Sequence, residues 1–298
     1  MNKSCVFKWS FIDKILPQST NFIVAILLAR ILSPEDFGII SIVFLFINFF
    51  SIMVDSGFGD SIINNKSIEE IDLNSIFWQK LFFSLFLMVL IYFISPFISS
   101  FYKIASLKYL LRLSSLVLII SVFSSIQNAL LIKNLRFKSI AITSVVASLF
   151  SGLAAVYLAH KGYSVKSLIF RVLIAEFITM ILFVIYSKWW PKFIYSWKSI
   201  KKLKSFAFNI LFLQLVQVVY QNIYISFIAK SFGQSVLGYY NRAEAYNKVT
   251  SGLLDSSIQN ASFAIFSKKE EIDSKSMFFV QLLSIISIIS FLIFSCLF

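Results

Sequence analysis

Leu28-Ala29-Arg30-Ile31-Leu32-Ser33-Pro34-Glu35-Asp36-Phe37-Gly38 returns later in the chain as Ile228-Ala229-Lys230-Ser231-Phe232-Gly233-Gln234-Ser235-Val236-Leu237-Gly238. The register between the copies is 200 residues without a gap, and it continues past the motif, with Ser51 opposite Ser251 and Asp55-Ser56 opposite Asp255-Ser256. Each copy reads as an apolar helix with a cation at its exit, a polar turn, a glycine and a second apolar helix. Apolar matches come easily in such a chain, so the weight of the repeat rests on Arg30/Lys230, Gly38/Gly238 and the Asp-Ser pairs.

Working outward, hydrophobic residues make up 58% of the 298 and charged residues 14%, with a mean hydropathy of +0.84. Soluble domains carry about 25% charged residues, so this chain cannot cover itself with a wettable surface. Runs of roughly 20 apolar residues identify an all-α polytopic membrane protein. Spans are expected near 9–32, 37–54, 76–97, 109–131, 140–158, 165–186, 206–229, 237–265 and 277–298. Pro17 is expected to bend the first span. Ser33, Pro34, Glu35 and Asp36 give the second an N-cap, a proline at N1 and acids in its first turn. A basic linker, Lys188 to Lys204, divides a first lobe (residues 1–200) from the start of a second (residues 201–298).

The net charge is +13. Its cations lie mostly between apolar spans, which fits topology and anionic lipid rather than nucleic acid. With the N-terminus cytoplasmic, inner segments hold fifteen Lys and Arg and outer segments six, as the positive-inside rule requires. Trp189-Trp190 then anchor the inner end of the sixth span. Six spans separate the copies of the opening motif. An even number returns the chain to the same side, so the lobes are expected to form a parallel repeat about an axis along the membrane normal.

Cys5 and Cys296 lie near opposite ends and His160 is the lone histidine, which excludes a disulfide framework, a zinc or other metal site and a Ser-His-Asp triad. No phosphate-cradling glycine loop or nucleotide motif is present, so the chain reads as a transporter and not an enzyme, with no cofactor. Candidate residues are polar groups placed in or beside apolar spans, where a charge costs about 2.5–3.5 kcal/mol. Arg30 and Lys230 end the first and seventh spans and either snorkel to headgroups or face a cavity. Asp55 and Asp255 stand near the inner ends of the second and eighth spans, as turn residues or as buried acids. Arg171 and Glu176 in the sixth span are five apart, so each is expected to find a partner on another helix. Gln214, Gln217 and Gln221 share a face of the seventh span, either as interhelical hydrogen-bond glue or as a surface for hydroxyls. Tyr239 and Tyr240 with Arg242 and Glu244 open the eighth span, as an aromatic belt or as a rim that stacks on sugars while Arg242 forks a phosphate.

These stretches resemble the polysaccharide-exporter families of the multidrug/oligosaccharidyl-lipid/polysaccharide transporter superfamily, nearest the group containing colanic acid and teichuronic acid exporters. The resemblance rests on Leu28 through Gly38, Asp55-Ser56-Gly57-Phe58-Gly59, Phe77-Trp78, Leu131 through Phe137, and Leu237 through Ala243. It implies a two-lobe bundle like that of the multidrug and toxin extruders. It also implies a flippase of undecaprenyl-diphosphate-linked oligosaccharide for cell-surface polysaccharide or lipopolysaccharide, working by alternating access in a bacterial inner membrane. The partners it implies are the lipid-linked oligosaccharide, the bilayer and other membrane proteins of glycan assembly, with no nucleic acid. Arg30, Lys230, Arg242, Tyr239, Tyr240, Gln214, Gln217 and Gln221 would meet diphosphate and sugar, and Asp55, Glu176 and Asp255 would serve coupling or structure. The alternatives are a multidrug/cation antiporter of the same fold and, from another class, a membrane-embedded glycan polymerase or ligase. An antiporter favours acidic over basic cavity groups, and a polymerase needs a large outer loop. Members of the family carry twelve or more helices, so a chain ending in its ninth is expected to be truncated, unstable and inactive in transport.

Overall fold

The computed structural model describes the backbone over residues 3–64 and 68–266, and side chains over 16–63, 68–201, 207–220 and 222–244. The described residues are mostly helical, without strands. In order the helices are α1 (Lys3–Ile31), α2 (Pro34–Asp55), α3 (Phe58–Asn64), α4 (Glu70–Tyr102), α5 (Ser106–Ser114), α6 (Leu116–Lys133), α7 (Phe137–His160), α8 (Val165–Ser187) and α9 (Trp197–Phe266). Among the described residues, six helical stretches are long and apolar enough to cross a membrane: Pro34–Ile63, Glu70–Tyr102, Ser106–Lys133, Phe137–His160, Val165–Ser187 and Ala207–Glu244. The expected ninth span lies outside the described residues.

The helix starts follow local chemistry. The Ser33 hydroxyl accepts from the Asp36 amide at 3.2 Å, while the Asp36 carboxylate accepts from the Ser33 amide at 2.9 Å. That is a reciprocal capping box, completed by Pro34 at N1. α2 stops at Asp55 because Ser56 and Gly57 turn left-handed (φ 50° and 68°). At Gly57 the close approach of α9 adds a second constraint, since a Cβ there would sit 2.4 Å from the Ala207 carbonyl oxygen. The expected fourth span divides into α5 and α6 at Ser115. α9 covers the expected seventh and eighth spans and is broken only at Gly233, whose φ of 83° and ψ of 175° no helix accommodates.

Packing reflects a membrane solvent. α7 lies between α1 and α8, while α4 packs on α5 and α6. The buried face of α7 is built from small residues, including Ala141, Ala147, Ser148, Ser151, Gly152, Ala155 and Ala159. α1 approaches so closely that a Cβ on Gly152 would meet Val24 Cγ2 at 2.5 Å. Small residues allow this backbone approach where water is not available to drive association. The opposite condition holds on α4, where Phe82, Phe86, Val89, Phe93, Phe97 and Phe101 form an exposed stripe. They recur by three- and four-residue steps along one helix face, and hydrocarbon is the solvent such a face matches.

The segment 188–196 straps the beginning of α4. Asn74 Oδ1 accepts from the Lys192 amide (2.7 Å), Ser75 Oγ accepts from the Ser196 amide (2.8 Å), and Trp78 Nε1 donates to the Lys192 carbonyl (2.8 Å). Trp78 also stacks on Phe193, with ring centroids 4.7 Å apart. Two compact units divide the chain, Met1–Arg242 and Ala243–Phe298. All contacts described below lie within the first.

Candidate functional site

An open-sided space of about 510 Å³ lies between α2, α4, α6 and α9, lined by Ser51, Asp55, Lys80, Ser121, Ser125, Gln214 and Gln217 together with the apolar Ile52, Val54, Val122 and Val218. An ion pair stands in its wall. Lys80 Nζ donates to Asp55 Oδ1 at 2.6 Å and to Ser125 Oγ at 3.1 Å. Lys80 stands ten residues into α4, about 15 Å from its start at 1.5 Å per residue. Its side chain is 2% exposed, against 39% for Asp55.

Each partner is set by its own helix. Asp55 is the last residue of α2, where the negative end of the helix dipole disfavours a carboxylate, and the Lys80 ammonium offsets that. The Ser125 hydroxyl donates to the Val122 carbonyl at 3.1 Å, leaving its lone pairs for Lys80. An unpaired ammonium in an apolar span would cost about 2.5–3.5 kcal/mol on insertion scales. Burying it with two acceptors makes the position tenable.

Gln214 and Gln217 face this polar space from α9; the side chain of Gln221 lies outside the described residues. Further along α9, Asn222 and Ser226 border a second, mainly apolar space of about 400 Å³ with Phe46, Phe49, Ile94 and Ile98. Val218 lines both, so a polar and an apolar compartment adjoin along one helix. The Tyr102 hydroxyl and Ser226 Oγ, 2.7 Å apart, close the far end.

At that end the two copies of the opening motif meet. A Cβ on Gly38 would lie 1.8 Å from the Gln234 carbonyl oxygen, and one on Gly238 would lie 1.7 Å from the Pro34 carbonyl oxygen. In the 200-residue register these are the same contact made twice, 38 to 234 and 238 to 34. Gln234 also donates to Glu35, and Asn241 Nδ2 donates to Ser41 Oγ at 2.5 Å, a residue meeting its own counterpart. Reciprocal contacts of this kind are what a two-fold relation produces.

The other expected site residues whose side chains are described do not line this space. Arg30 is exposed at the end of α1, on the stripe of Leu16, Ile23 and Leu27. Lys230 Nζ donates to the Phe101 carbonyl at 2.6 Å and lies 4.0 Å from that ring's centroid, capping the last turn of α4. Arg242 Nη2 donates to the carbonyls of Leu32 (2.9 Å) and Ala29 (3.4 Å), and its guanidinium sits 4.4 Å from the Phe37 ring centroid. It caps α1, whose last carbonyls have no partner within the helix. Tyr239 is exposed, and Tyr240 packs on Tyr224 with centroids 5.1 Å apart. Arg171 reaches Asn21 on α1. Glu176 is half-buried on α8. Asp255 lies on α9, and its side chain is outside the described residues.

Lys80 is the residue of this space that the sequence reading passed over. The signal was a lysine inside an otherwise apolar span, Trp78-Gln79-Lys80-Leu81-Phe82. Its partners stand 25 and 45 residues away, beyond any helical spacing rule.

A family model described as "Polysaccharide biosynthesis protein" matches residues 27–298. The succinoglycan biosynthesis transport protein ExoT of Rhizobium meliloti (strain 1021) is 22% identical over 258 residues, covering 87% of this chain and 52% of that protein. The teichuronic acid biosynthesis protein TuaB of Bacillus subtilis (strain 168) is 27% identical over 226 residues, 74% of this chain and 46% of that protein. The lipopolysaccharide biosynthesis protein WzxC of Escherichia coli (strain K12) is 23% identical over 287 residues, 95% of this chain and 58% of that protein. The chain thus spans about half the length of these curated relatives. No solved structure matches it.

Proposed function

Because this chain belongs to the polysaccharide biosynthesis protein family, we propose that it forms the first lobe, and the opening helices of the second, of a flippase for lipid-linked oligosaccharide. The cargo is an undecaprenyl-diphosphate-linked precursor of cell-surface polysaccharide or lipopolysaccharide. The membrane is the bacterial inner membrane, with the N-terminus cytoplasmic. The observation that carries this reading is an open-sided space holding a charge pair, hydroxyls and amides between helices, with hydrocarbon-suited faces on the outside of the bundle. A diphosphate-sugar head cannot cross hydrocarbon unaided. Gln214, Gln217, Ser51, Ser121 and Ser125 supply the donors and acceptors that sugar hydroxyls lose on leaving water, and the adjoining apolar space gives the lipid portion a neighbour of its own kind.

Alternating access follows from the reciprocal contact. In this reading the lobes are parallel repeats that meet at Gly38 and Gly238, closing the outer end while the space beside Asp55 lies toward the inner end. Separating the two motifs would open the outer side. An antiporter of cationic drugs is less well supported, because the acid in this space, Asp55, is already neutralised by Lys80.

The test is reconstitution of the complete two-lobe protein that this lobe belongs to into liposomes, with a fluorescent lipid-linked oligosaccharide whose label a membrane-impermeant quencher reaches only in the outer leaflet. Protein-dependent transfer between leaflets is the expected result. Transfer no faster than in protein-free liposomes, from folded protein, would overturn the reading.

A further inference from the structure

We infer that Lys80 is a binding residue for the anionic, phosphate- or diphosphate-bearing part of the cargo, and that Asp55 is a built-in surrogate anion which holds its place when the space is empty. This rests on the flippase reading above and names the charge exchange that the same space would perform.

Three observations combine. The first is asymmetry: Lys80 is almost wholly buried whereas Asp55 is 39% exposed. The acid stays at the edge of the open space, from which it can be released to water. The second is the unfavourable station of Asp55 at the C-terminus of α2, where the helix dipole weakens its hold. A ligand anion in the space has no such handicap. The third is donor arithmetic. An ammonium has three donors, and Lys80 spends two, on Asp55 and Ser125. Both acceptors line the space, so both bonds face the position a ligand would take.

Exchange of one carboxylate for one phosphate oxygen keeps the buried ammonium compensated throughout. No step requires a bare charge in the apolar interior. The exchange also gives selectivity, since a neutral polyprenol offers nothing to displace the carboxylate.

The test uses the detergent-solubilised full chain, with equilibrium binding and melting temperature measured against farnesyl diphosphate, farnesol and inorganic pyrophosphate. Wild type should prefer farnesyl diphosphate to farnesol. Asp55→Asn should melt lower when empty, bind farnesyl diphosphate about tenfold more tightly through a charge-assisted contact freed of its competitor, and regain its stability on binding. The neutral double variant Asp55→Asn/Lys80→Gln has no buried charge to misfold it and should lose the preference for diphosphate. Competition by pyrophosphate as strong as by farnesyl diphosphate would assign the site to a free anion; weaker competition assigns it to a lipid-linked one, and either keeps Lys80 as the anion's partner. The inference is overturned if Asp55→Asn is destabilised without rescue by diphosphate, if the double variant keeps the preference, or if wild type has none. Where wild type still flips lipid-linked oligosaccharide in liposomes, those results overturn the charge exchange alone. Absence of flipping would instead remove the reading beneath it.

Discussion

Replacing Gly38 by alanine perturbs the reciprocal contact at its tightest point. The added methyl would begin 1.8 Å from the Gln234 carbonyl oxygen, whereas real Cβ contacts essentially never fall under 3.0 Å. The obstacle is backbone, so α2 and α9 must separate by at least 1.2 Å, the difference between those distances. Gly238→Ala, whose methyl would begin 1.7 Å from the Pro34 carbonyl oxygen, imposes a similar separation from the other side. Overpacking of this kind costs about 1–3 kcal/mol, which as a shift between closed and open arrangements is about 5- to 150-fold. The assay is disulfide formation between Ser41→Cys and Asn241→Cys, whose parent side chains touch, in a background with Cys5→Ser and Cys296→Ser. Gly38→Ala or Gly238→Ala should slow cross-linking at least several-fold. Gly59→Ala, with its nearest contact at 3.5 Å, should not. Equal cross-linking rates and unchanged melting temperatures in both glycine variants would refute a close backbone approach.

Other perturbations follow from named contacts. Arg242→Ala removes the donor to the Leu32 and Ala29 carbonyls and should lower stability by about 1–2 kcal/mol, read as a fall in melting temperature; Arg242→Lys should recover part of it. Asp55→Asn leaves Lys80 buried without its counter-charge and should cost about 3 kcal/mol, whereas Asp55→Asn/Lys80→Gln should sit near wild type, a non-additivity readable in a thermal double-mutant cycle. Trp78→Phe keeps the ring but loses the bond to the Lys192 carbonyl. It should loosen the 188–196 strap, seen as faster proteolysis there at nearly unchanged overall melting.

Much of this architecture was legible in the residues. The second span's start could be read from Ser33, Pro34 and Asp36 because a capping box is local chemistry. The membrane class followed from composition alone. The value of Gly38 and Gly238 was visible as a repeat, although only three dimensions reveal that the two glycines face each other's chain. What stayed hidden depends on distant partners. Lys80 acquires meaning from Asp55 and Ser125, and Arg242 from the end of α1. The division at Ser115 and the early start of α9 at Trp197 likewise reflect packing and strapping rather than periodicity. Arg171 met the expectation of a partner on another helix, in Asn21, which spacing could not name.

The most direct test of alternating access through this space joins the cross-link to transport. The Ser41→Cys/Asn241→Cys protein is reconstituted with fluorescent lipid-linked oligosaccharide, and transfer between leaflets is followed before oxidation, after it, and after reduction. Transfer should be rapid, then abolished while the two motifs are locked together, then restored. Transfer that continues at the parent rate with the cross-link complete would contradict the separation of these motifs as the opening step.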